Sequence, residues 1–512
     1  MRLLALVVAA AILPIGIAIA EAGTNEFYVN DLVPENGIAP GDDANSGTSP
    51  ETPMAHIQAL LRRYPAIGSG CTVHVSAGTY DETIVLGATH AGLTLLGDGP
   101  GKTIIDRNQA DRCLKMNGMT SGTISGFTFT RGRSYLGGAI SCSYSSPTIA
   151  GNEIKASTAY RGGGIWIEYT SSPVIAQNTF LANNASWNST APRGGAIYCH
   201  GGASPAIVEN VFIANGAIEG GAICAPEGIG CITGNTFVAN TGAGGAINLA
   251  SVAAGFPITN NVIARNEASG SGYCGGGLCI SYSAPDGFIG PLIRNNTIVD
   301  NVANAAGGGV YLDGSPFVLT NNVLRGNTAP AGAQVCATAG TRLTVAYCNV
   351  QNGRAGVCVP NATDLTWGLG NMDSDPLFAD AANGDYHLKS RYGRWDPDAN
   401  SGAGGWVRDE VTSPCINAGD PSSDYSSQLQ PSRRIEIGAY GNTSAASMGK
   451  WILAGDTDGS SRVDLRDLFF VRDRLGQSTT TADNWKADVN EDGKINILDL
   501  LFVRNRFGSV RP

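Results

Sequence analysis

The sequence is poor in charge, and basic residues are the minority. Only 15% of the 512 residues are charged, and 33 Lys and Arg stand against 43 Asp and Glu, which gives a formal net charge of -10. Binding to phosphate backbones depends on clustered Lys and Arg. A nucleic-acid-binding function is therefore excluded, whereas an acidic chain suits calcium.

The twelve cysteines lack the spacing of any zinc or haem signature. Disulfides persist in oxidising compartments, so export would permit pairing. Three pairs are close in sequence: Cys224 with Cys231, Cys274 with Cys279, and Cys348 with Cys358. Buried free thiols are the alternative.

Long apolar runs are absent except at the N-terminus. There, an apolar run follows Arg2 and is interrupted by Pro14 and Gly16. It ends in two small-x-small cleavage candidates, Ala18-Ile19-Ala20 and Ala20-Glu21-Ala22. These features are typical of a cleaved signal peptide, which we predict at residues 1–22, with an uncleaved membrane anchor as the alternative. The sequence therefore predicts a secreted or cell-surface protein with no stable membrane span after cleavage.

Glycine is abundant, with 69 residues, and 43% of the chain is apolar. This is too much glycine for a helical protein, and the glycines lack the strict period of collagen. The composition favours a turn-rich, all-β chain.

A glycine motif of the form Gly-Gly-Ala/Gly followed by an aliphatic residue recurs through the middle of the chain. Its closing residues are Ile140, Ile165, Ile197, Ile223, Ile247, Leu278 and Val310. The steps between them are 25, 32, 26, 24, 31 and 32 residues, a period typical of a solenoid with loops of variable length.

Two columns of asparagine run in phase with the glycine motif. The first comprises Asn152, Asn178, Asn210, Asn235, Asn261, Asn296 and Asn322. From the second repeat onward, another asparagine follows five residues later: Asn183, Asn215, Asn240, Asn266, Asn301 and Asn327. We expect these side chains to form amide ladders between stacked coils.

Each repeat contains three short apolar runs separated by Gly, Asn or Ser-Pro turns. Three strands per turn of a coil would stack at the ~4.8 Å strand spacing and bury a continuous interior. Leucine-rich repeats and propellers fit the period and composition less well. The prediction is a parallel β-solenoid.

Two near-copies of an acidic loop lie 32 residues apart at the C-terminus. Oxygen-bearing positions 1, 3, 5, 7, 9 and 12, with a backbone carbonyl at position 7, are what a calcium ion requires. The first loop supplies Asp456, Asp458, Ser460, Arg462, Asp464 and Asp467, and the second supplies Asp488, Asn490, Asp492, Lys494, Asn496 and Asp499. An amphipathic segment closed by Gly follows each loop.

This loop-plus-helix pair, without the leading helices of an EF-hand pair, resembles a type I dockerin. The resemblance implies two calcium ions and a cohesin-like partner. The first loop has Ser460 where Asp is usual and Ser461 where Gly is usual, so we expect it to bind more weakly. The partner-contacting pair of the family maps to Leu465-Arg466 and Ile497-Leu498, which are not the Ser-Thr pairs of cellulosomal dockerins.

Residues 27–130 and 374–441 resemble the ends of secreted right-handed parallel β-helix proteins of the pectate-lyase-like superfamily. The motifs are Phe27-Tyr28-Val29, Gly78-Thr79-Tyr80, Asp375-Pro376-Leu377-Phe378 and Gly438-Ala439-Tyr440-Gly441. The expected organisation is a signal peptide at 1–22, a β-helix at 23–360, its C-terminal cap region at 361–450 and a dockerin-like module at 451–512. The superfamily includes lyases, hydrolases, epimerases and proteins without known chemistry, so the resemblance implies a fold.

The residue after each closing aliphatic should point outward and form an exposed column. Trp166 and Tyr198 would then lie on neighbouring coils beside Glu168 and His200, where aromatic rings could bind sugar and a carboxylate and a histidine could divide acid and base work. The alternative is that the aromatic stack is packing covered by another segment.

Sequence marks of known chemistry on this fold are missing. The Asn-Thr-Asp, Asp-Asp, Gly-His and Arg-x-Lys series of a polygalacturonase-like hydrolase does not occur in order, and the coil faces are too poor in Asp for a calcium-dependent lyase. Two functions stay open. One is a carbohydrate-active enzyme, a polysaccharide lyase or a hydrolase of O-glycosyl bonds, tethered through its C-terminus. The other is a non-catalytic β-helix for surface display or adhesion.

Overall fold

The computed structural model describes most of the chain. The described residues are 25–33, 39–186, 191–250, 255–270, 274–282, 290–314, 316–428, 434–449, 455–458, 460, 462–478, 482–490 and 492–509. The predicted signal peptide and Ser461 lie outside them. Among the helices of the described part, none combines the length and hydropathy needed to cross a membrane.

The body of the chain is a parallel β-solenoid whose walls are sheets that run along its length. The long sheet has thirteen strands: Glu26–Val29, Thr72–Val75, Thr94–Gly97, Thr123–Ser125, Thr148–Ala150, Val174–Ala176, Ala206–Val208, Cys231–Thr233, Pro257–Thr259, Leu292–Arg294, Phe317–Thr320, Leu343–Ala346 and Leu365–Trp367. It therefore runs beyond residue 360, where we expected the β-helix to end.

Two further walls have eleven strands each. The asparagine sheet contains Gly78–Tyr80, Thr103–Asp106, Phe127–Thr130, Glu153–Lys155, Thr179–Leu181, Val211–Ile213, Thr236–Val238, Val262–Ala264, Thr297–Val299, Val323–Arg325 and Asn349–Val350. The glycine-motif sheet contains Ile84–Gly87, Leu114–Asn117, Ile140–Ser143, Ile165–Glu168, Ile197–Cys199, Ile223–Ala225, Ile247–Ala250, Leu278–Tyr282, Val310–Gly314, Val335–Ala337 and Val357–Cys358.

A fourth wall corrects the expectation of three strands per coil. This short sheet has seven strands: Arg133–Leu136, Thr158–Arg161, Asn184–Ala185, Gly216–Glu219, Thr241–Ala243, Glu267–Ala268 and Val302–Ala303. Several of its strands bury only one small residue, such as Ala159 or Ala185. A segment that buries a single alanine leaves no apolar run in the sequence, so the pattern of hydrophobic residues did not indicate it.

The remaining elements are short. The helices are Ile57–Arg63, Ala399–Gly402, Leu465–Arg472 and Ile497–Arg504, and the 3-10 turns are Ala88–His90, Gly353–Gly356, Ala362–Asp364, Ala381–Asn383 and Ala482–Ala487. Two antiparallel pairs join Phe378–Asp380 to Asp385–Leu388 and Arg394–Asp396 to Gly405–Val407.

The glycine motif forms the corner between the short sheet and the glycine-motif sheet. Gly162 has φ +64°, a left-handed conformation that glycine adopts without strain. Gly163 is required for a different reason, since a Cβ there would lie 2.4 Å from the carbonyl oxygen of Gly195 on the next coil. The paired glycines therefore turn the chain and let neighbouring coils stack closely.

The predicted asparagine ladders are confirmed, and their members are buried. The backbone N–H of Asn210 donates to Asn235 Oδ1 at 2.8 Å, and its Nδ2 donates to the same oxygen at 3.1 Å. Nδ2 of Asn210 also donates to the carbonyl of Ile175 on the preceding coil at 2.8 Å. Each side-chain amide thus gives hydrogen-bond partners to backbone N–H and C=O groups of the turns. These groups are closed off from water, and buried backbone groups need such partners.

The interior is a continuous stack of aliphatic and aromatic side chains. Phe180, Phe212 and Phe237 follow one another on three coils with centroid separations of 4.7 and 4.6 Å. All three are fully buried. Register between coils therefore places identical side chains on top of one another, as the phase of the repeats indicated.

The region after residue 370 packs against the side of the solenoid. Tyr386, Leu388 and Ile437 form one apolar cluster with outward residues of the asparagine sheet, among them Val262 and Val323. The contact covers the outer face of the last coils. Over these residues, the segment that we expected to cap the end of the β-helix covers its side.

Amides on the turns hold this cover in place. Nδ2 of Asn260 donates to the carbonyl of Ala439 at 2.8 Å, Nδ2 of Asn295 donates to the carbonyl of Glu436 at 3.0 Å, and Asn321 Oδ1 accepts from the N–H of Asp420 at 2.7 Å. Each of these residues immediately precedes a ladder asparagine. In the four preceding coils the same position holds Gly151, Gln177, Glu209 and Gly234.

The cysteine pairs suggested by sequence proximity are not bonded. The buried cysteines are free thiols: Cys113, Cys142, Cys199, Cys224, Cys336, Cys348 and Cys415. Cys224 lies on the glycine-motif sheet and Cys231 on the long sheet, so the two belong to different walls. The alternative of buried thiols therefore agrees with the structure.

The ladders predict a large cost for removing one amide. Asn235→Ala would leave the N–H of Asn210 and the carbonyl of Ile207 buried without this partner. Since each such group costs about 1–3 kcal/mol, we expect a loss of about 2–6 kcal/mol in the free energy of unfolding, measured by denaturant titration. The exposed Asn361→Ala variant is the control and should lose less than about 0.5 kcal/mol. Equal losses would show that the ladder does not stabilise the coil.

Candidate functional site

The C-terminal module is built from two similar halves. Helices Leu465–Arg472 and Ile497–Arg504 pack on a small core that includes Val463, Val471 and Val503. The N–H of Val463 donates to the carbonyl of Ser509, and the N–H of Gly476 donates to the carbonyl of Ile495, at 2.9 and 2.8 Å. Backbone bonds thus tie the end of each half to the loop of the other.

The first acidic loop brings three carboxylates together. Oxygens of Asp456, Asp458 and Asp467 lie within 4.8 Å of one another. Asp467 is fully buried, and its Oδ1 accepts from the N–H of Thr457 at 2.5 Å. Clustered carboxylate oxygens are the donor set that a hard cation such as calcium prefers.

The remaining predicted ligands of the first loop make hydrogen bonds within the loop and to the following helix. Ser460 donates its N–H to Asp456 and Asp458, and its hydroxyl donates to the carbonyl of Arg462 at 3.1 Å. That carbonyl is the one expected at position 7. Asp464 accepts from the N–H of Arg466 at 2.8 Å and so caps the following helix.

The second loop repeats this arrangement. Asp488 accepts from the N–H groups of Asp492 and Gly493 at 3.1 and 2.9 Å. Asp499 is fully buried and accepts from the N–H of Asn490 at 3.2 Å. These residues are the counterparts, 32 positions on, of the carboxylates in the first loop.

Electrostatics in the second loop also fit a cation. Burial raises the pKa of Asp488 above its ordinary value, the N–H of Gly493 opposes that shift, and the carboxylate of Asp499 adds to it. Asn496 caps its helix by accepting from the N–H of Leu498 at 2.8 Å, and the N–H of Lys494 donates to Asp492 Oδ1 at 3.0 Å. A divalent ion would relieve the crowding of negative charge.

The outer face of the glycine-motif sheet has the expected register and an unexpected burial. Trp166 and Tyr198 are register partners on adjacent coils, and their rings stack at 5.0 Å. Their exposed fractions are only 4% and 1%. The expectation of an exposed aromatic column is wrong at these two residues.

Side chains of the short sheet cover the pair. Leu136 packs against the cluster of Trp166, Tyr198 and Cys224, and the Arg161 guanidinium lies 5.2 Å from the centroid of the Tyr198 ring. Burial raises the pKa of Tyr198, and the positive charge of Arg161 opposes that shift. Rings held in this way have no free face on which a sugar could stack. The role of the Trp166–Tyr198 pair is therefore packing.

The two titratable candidates lie at the rim of the covered pair. Glu168 is half-buried and accepts from the Ser143 hydroxyl at 2.7 Å. His200 is partly exposed, with Nδ1 3.1 Å from Glu227 Oε1. Glu227 stands outside the recurring motifs of the sequence, so their spacing did not predict it.

Three family models match the chain. Residues 454–508 match the type I dockerin domain, residues 70–229 match the right-handed β-helix region, and residues 346–419 match a family described as disaggregatase related. The chain therefore contains a β-helix and a C-terminal dockerin domain. No curated protein matches it.

Two solved structures are similar at low identity. A pectate lyase, Pel9A, is 16% identical with a TM-score of 0.36, covering 81% of this chain and 95% of its own. The catalytic domain of a GH87 alpha-1,3-glucanase D1069A, in complex with tetrasaccharides, is 12% identical with a TM-score of 0.25, covering 62% of this chain and 67% of its own. Such low scores carry no argument about activity.

The burial of the aromatic pair yields a direct test of its role. Trp166→Ala would open a cavity beneath Leu136 and beside Tyr198, so we expect a loss of about 3–5 kcal/mol in the free energy of unfolding, measured by urea titration. Tyr135→Ala, which truncates an exposed ring on the short sheet, is the control and should cost less than about 1 kcal/mol. A neutral effect of the Trp166 change would contradict a packing role.

Proposed function

We propose that this right-handed β-helix protein with a C-terminal type I dockerin domain works outside the cell, attached through calcium and a cohesin-type partner. The observation that carries the proposal is the carboxylate cluster of Asp456, Asp458 and Asp467 within the segment that matches the dockerin model. The β-helix would then be the cargo that acts on or binds a glycan.

Calcium is proposed to bind in both loops. Asp456, Asp458, Asp467 and the carbonyl of Arg462 would hold the first ion, and Asp488, Asn490, Asp492, Asp499 and the carbonyl of Lys494 the second. In the first loop the Ser460 hydroxyl already engages the Arg462 carbonyl, and Ser460 offers no carboxylate. This supports weaker binding in the first loop.

The surface of the module supports a partner with an apolar face. Leu465 and Ile497, at equivalent places in the two halves, are 55% and 61% exposed, and Leu498 and Phe469 are exposed beside them. Large exposed apolar side chains in a small domain mark an interaction surface. A partner that complements leucine and isoleucine differs from one that recognises Ser-Thr pairs.

Attachment should require calcium and both buried carboxylates. In the full chain, Asp467→Asn with Asp499→Asn should abolish binding to a purified panel of cohesin modules, measured by surface plasmon resonance, and EDTA should do the same to the unchanged protein. Asp473→Asn, an exposed carboxylate outside the loops, should bind normally. Calcium calorimetry should show two sites, of which Asp467→Asn removes the weaker. Calcium-independent partner binding would refute the proposal.

The burial of Trp166 and Tyr198 favours a second candidate function, a non-catalytic β-helix for display or adhesion. It removes the patch on which the sequence-based expectation of catalysis by Glu168 and His200 depended. The β-helix is therefore proposed to bind a glycan without cleaving it. The alternative is that it cleaves the glycan, as a lyase or as a hydrolase of O-glycosyl bonds.

A polysaccharide screen separates these roles. We expect the full chain with calcium to be retained by at least one neutral or acidic polysaccharide in native gels. Absorbance of unsaturated ends would establish a lyase, new reducing ends alone would establish a hydrolase, and retention without products would establish a binding module. Failure to retain or cleave any polymer would refute a carbohydrate role.

A further inference from the structure

We propose that the stacked tyrosines Tyr144 and Tyr169 form a glycan-binding platform at the edge of the glycine-motif sheet, selective for neutral pyranosides. The inference rests on the proposed carbohydrate role of the β-helix and names its site. Both rings are exposed, at 53% and 43%, unlike the covered Trp166–Tyr198 pair. Their centroids lie 4.4 Å apart with planes 8° from parallel.

The choice of residues at this turn is the first reason to expect a function. Tyr144 and Tyr169 have φ of +50° and +57°, a left-handed conformation that a large L side chain adopts at a cost. The neighbouring coils place Gly118 and Gly201 at the same turn, with φ of +80° and +64°. The conformation itself is common in this solenoid, since Ala182 and Ala214 adopt it too, but tyrosine occupies this turn on two successive coils whose neighbours have glycine.

The space beside the platform is the second reason. Gly201 lies against Tyr169, since a Cβ added at Gly201 would lie 3.2 Å from the Tyr169 nitrogen and 3.8 Å from its Cδ1. A Cβ added at the next residue, Gly202, would meet no atom within 4 Å. The glycine step therefore leaves room for a ring to stack on the outer face of Tyr169.

Polar groups at the same step can orient a sugar. Glu227 Oε2 accepts from the N–H of Gly201 at 2.9 Å, and its Oε1 lies 3.1 Å from His200 Nδ1. Glu168 directly precedes Tyr169 and holds the Ser143 hydroxyl at 2.7 Å. An aromatic face with carboxylates beside it is the arrangement that binds the apolar face and the hydroxyls of a pyranose.

The charge of these groups selects the class of glycan. Glu168 and Glu227 would accept hydrogen bonds from sugar hydroxyls but repel the carboxylates of uronic acids. We therefore expect neutral polysaccharides to bind and polygalacturonate to bind weakly or not at all.

The test uses a change that separates binding from stability. Tyr144→Gly and Tyr169→Gly install the residue that neighbouring coils carry at this turn, so melting temperatures should hold or rise. Retardation of the full chain in native gels containing a soluble β-glucan or galactomannan should fall, with binding about tenfold weaker for each change. Tyr169→Phe keeps the ring and should keep most of the binding.

Two matched controls complete the design. Ala156→Gly relieves a left-handed residue with φ +49° at another exposed turn of the same coil and should leave binding unchanged. Tyr135→Ala removes another exposed stacked tyrosine, on the short sheet, and should also bind normally.

The outcomes distinguish the site from the function. If the unchanged protein is retarded and the Tyr144 and Tyr169 variants are retarded equally, the platform is wrong although the carbohydrate role stands. Retardation by polygalacturonate alone would overturn the selectivity. If no polysaccharide retards the unchanged protein, and the protein cleaves none of them, the carbohydrate role fails and the platform fails with it.

Discussion

The structure depends on one hydrogen bond repeated along the axis, from the amide of one buried asparagine to the amide of the next. Along the ladders a residue has its Oδ1 occupied by the preceding coil and its Nδ2 shared between a neighbouring amide and a backbone carbonyl, as at Asn210 and Asn235. The ladders end where Asn322 meets Cys348 and Asn327 meets Gln334. A turn that buries its backbone must satisfy these groups internally. The ladders therefore fix the register that stacks the phenylalanines inside and sets every outward column.

Features governed by spacing were predictable from the sequence. The ladders, the glycine corners and the acidic loops all follow from residues that recur at fixed intervals, because each recurrence meets one local requirement. Asp467 and Asp499 illustrate this, since both are buried and accept backbone N–H groups at matching places. The order of coils and the carboxylate cluster needed no knowledge of distant contacts.

Features governed by what lies on top of a coil were not predictable. Trp166 points outward as the alternation of the strand requires, yet Leu136 and Arg161 of the short sheet close over it and its stacked partner. The short sheet itself buries single alanines and leaves no periodic signal. Outward direction and exposure are different properties, and only the first is encoded in the period of a strand.

The paired asparagines on the last turns have a consequence for how such a chain can change length. The inner amide of each pair belongs to the ladder, while the outer one at Asn260, Asn295 or Asn321 reaches the segment that covers the side. Every one of these anchors lies after residue 259. Whole coils can therefore be duplicated or deleted between residues 140 and 234 while the lateral cover keeps its footprint, so the number of coils and the identity of the anchored end can evolve separately.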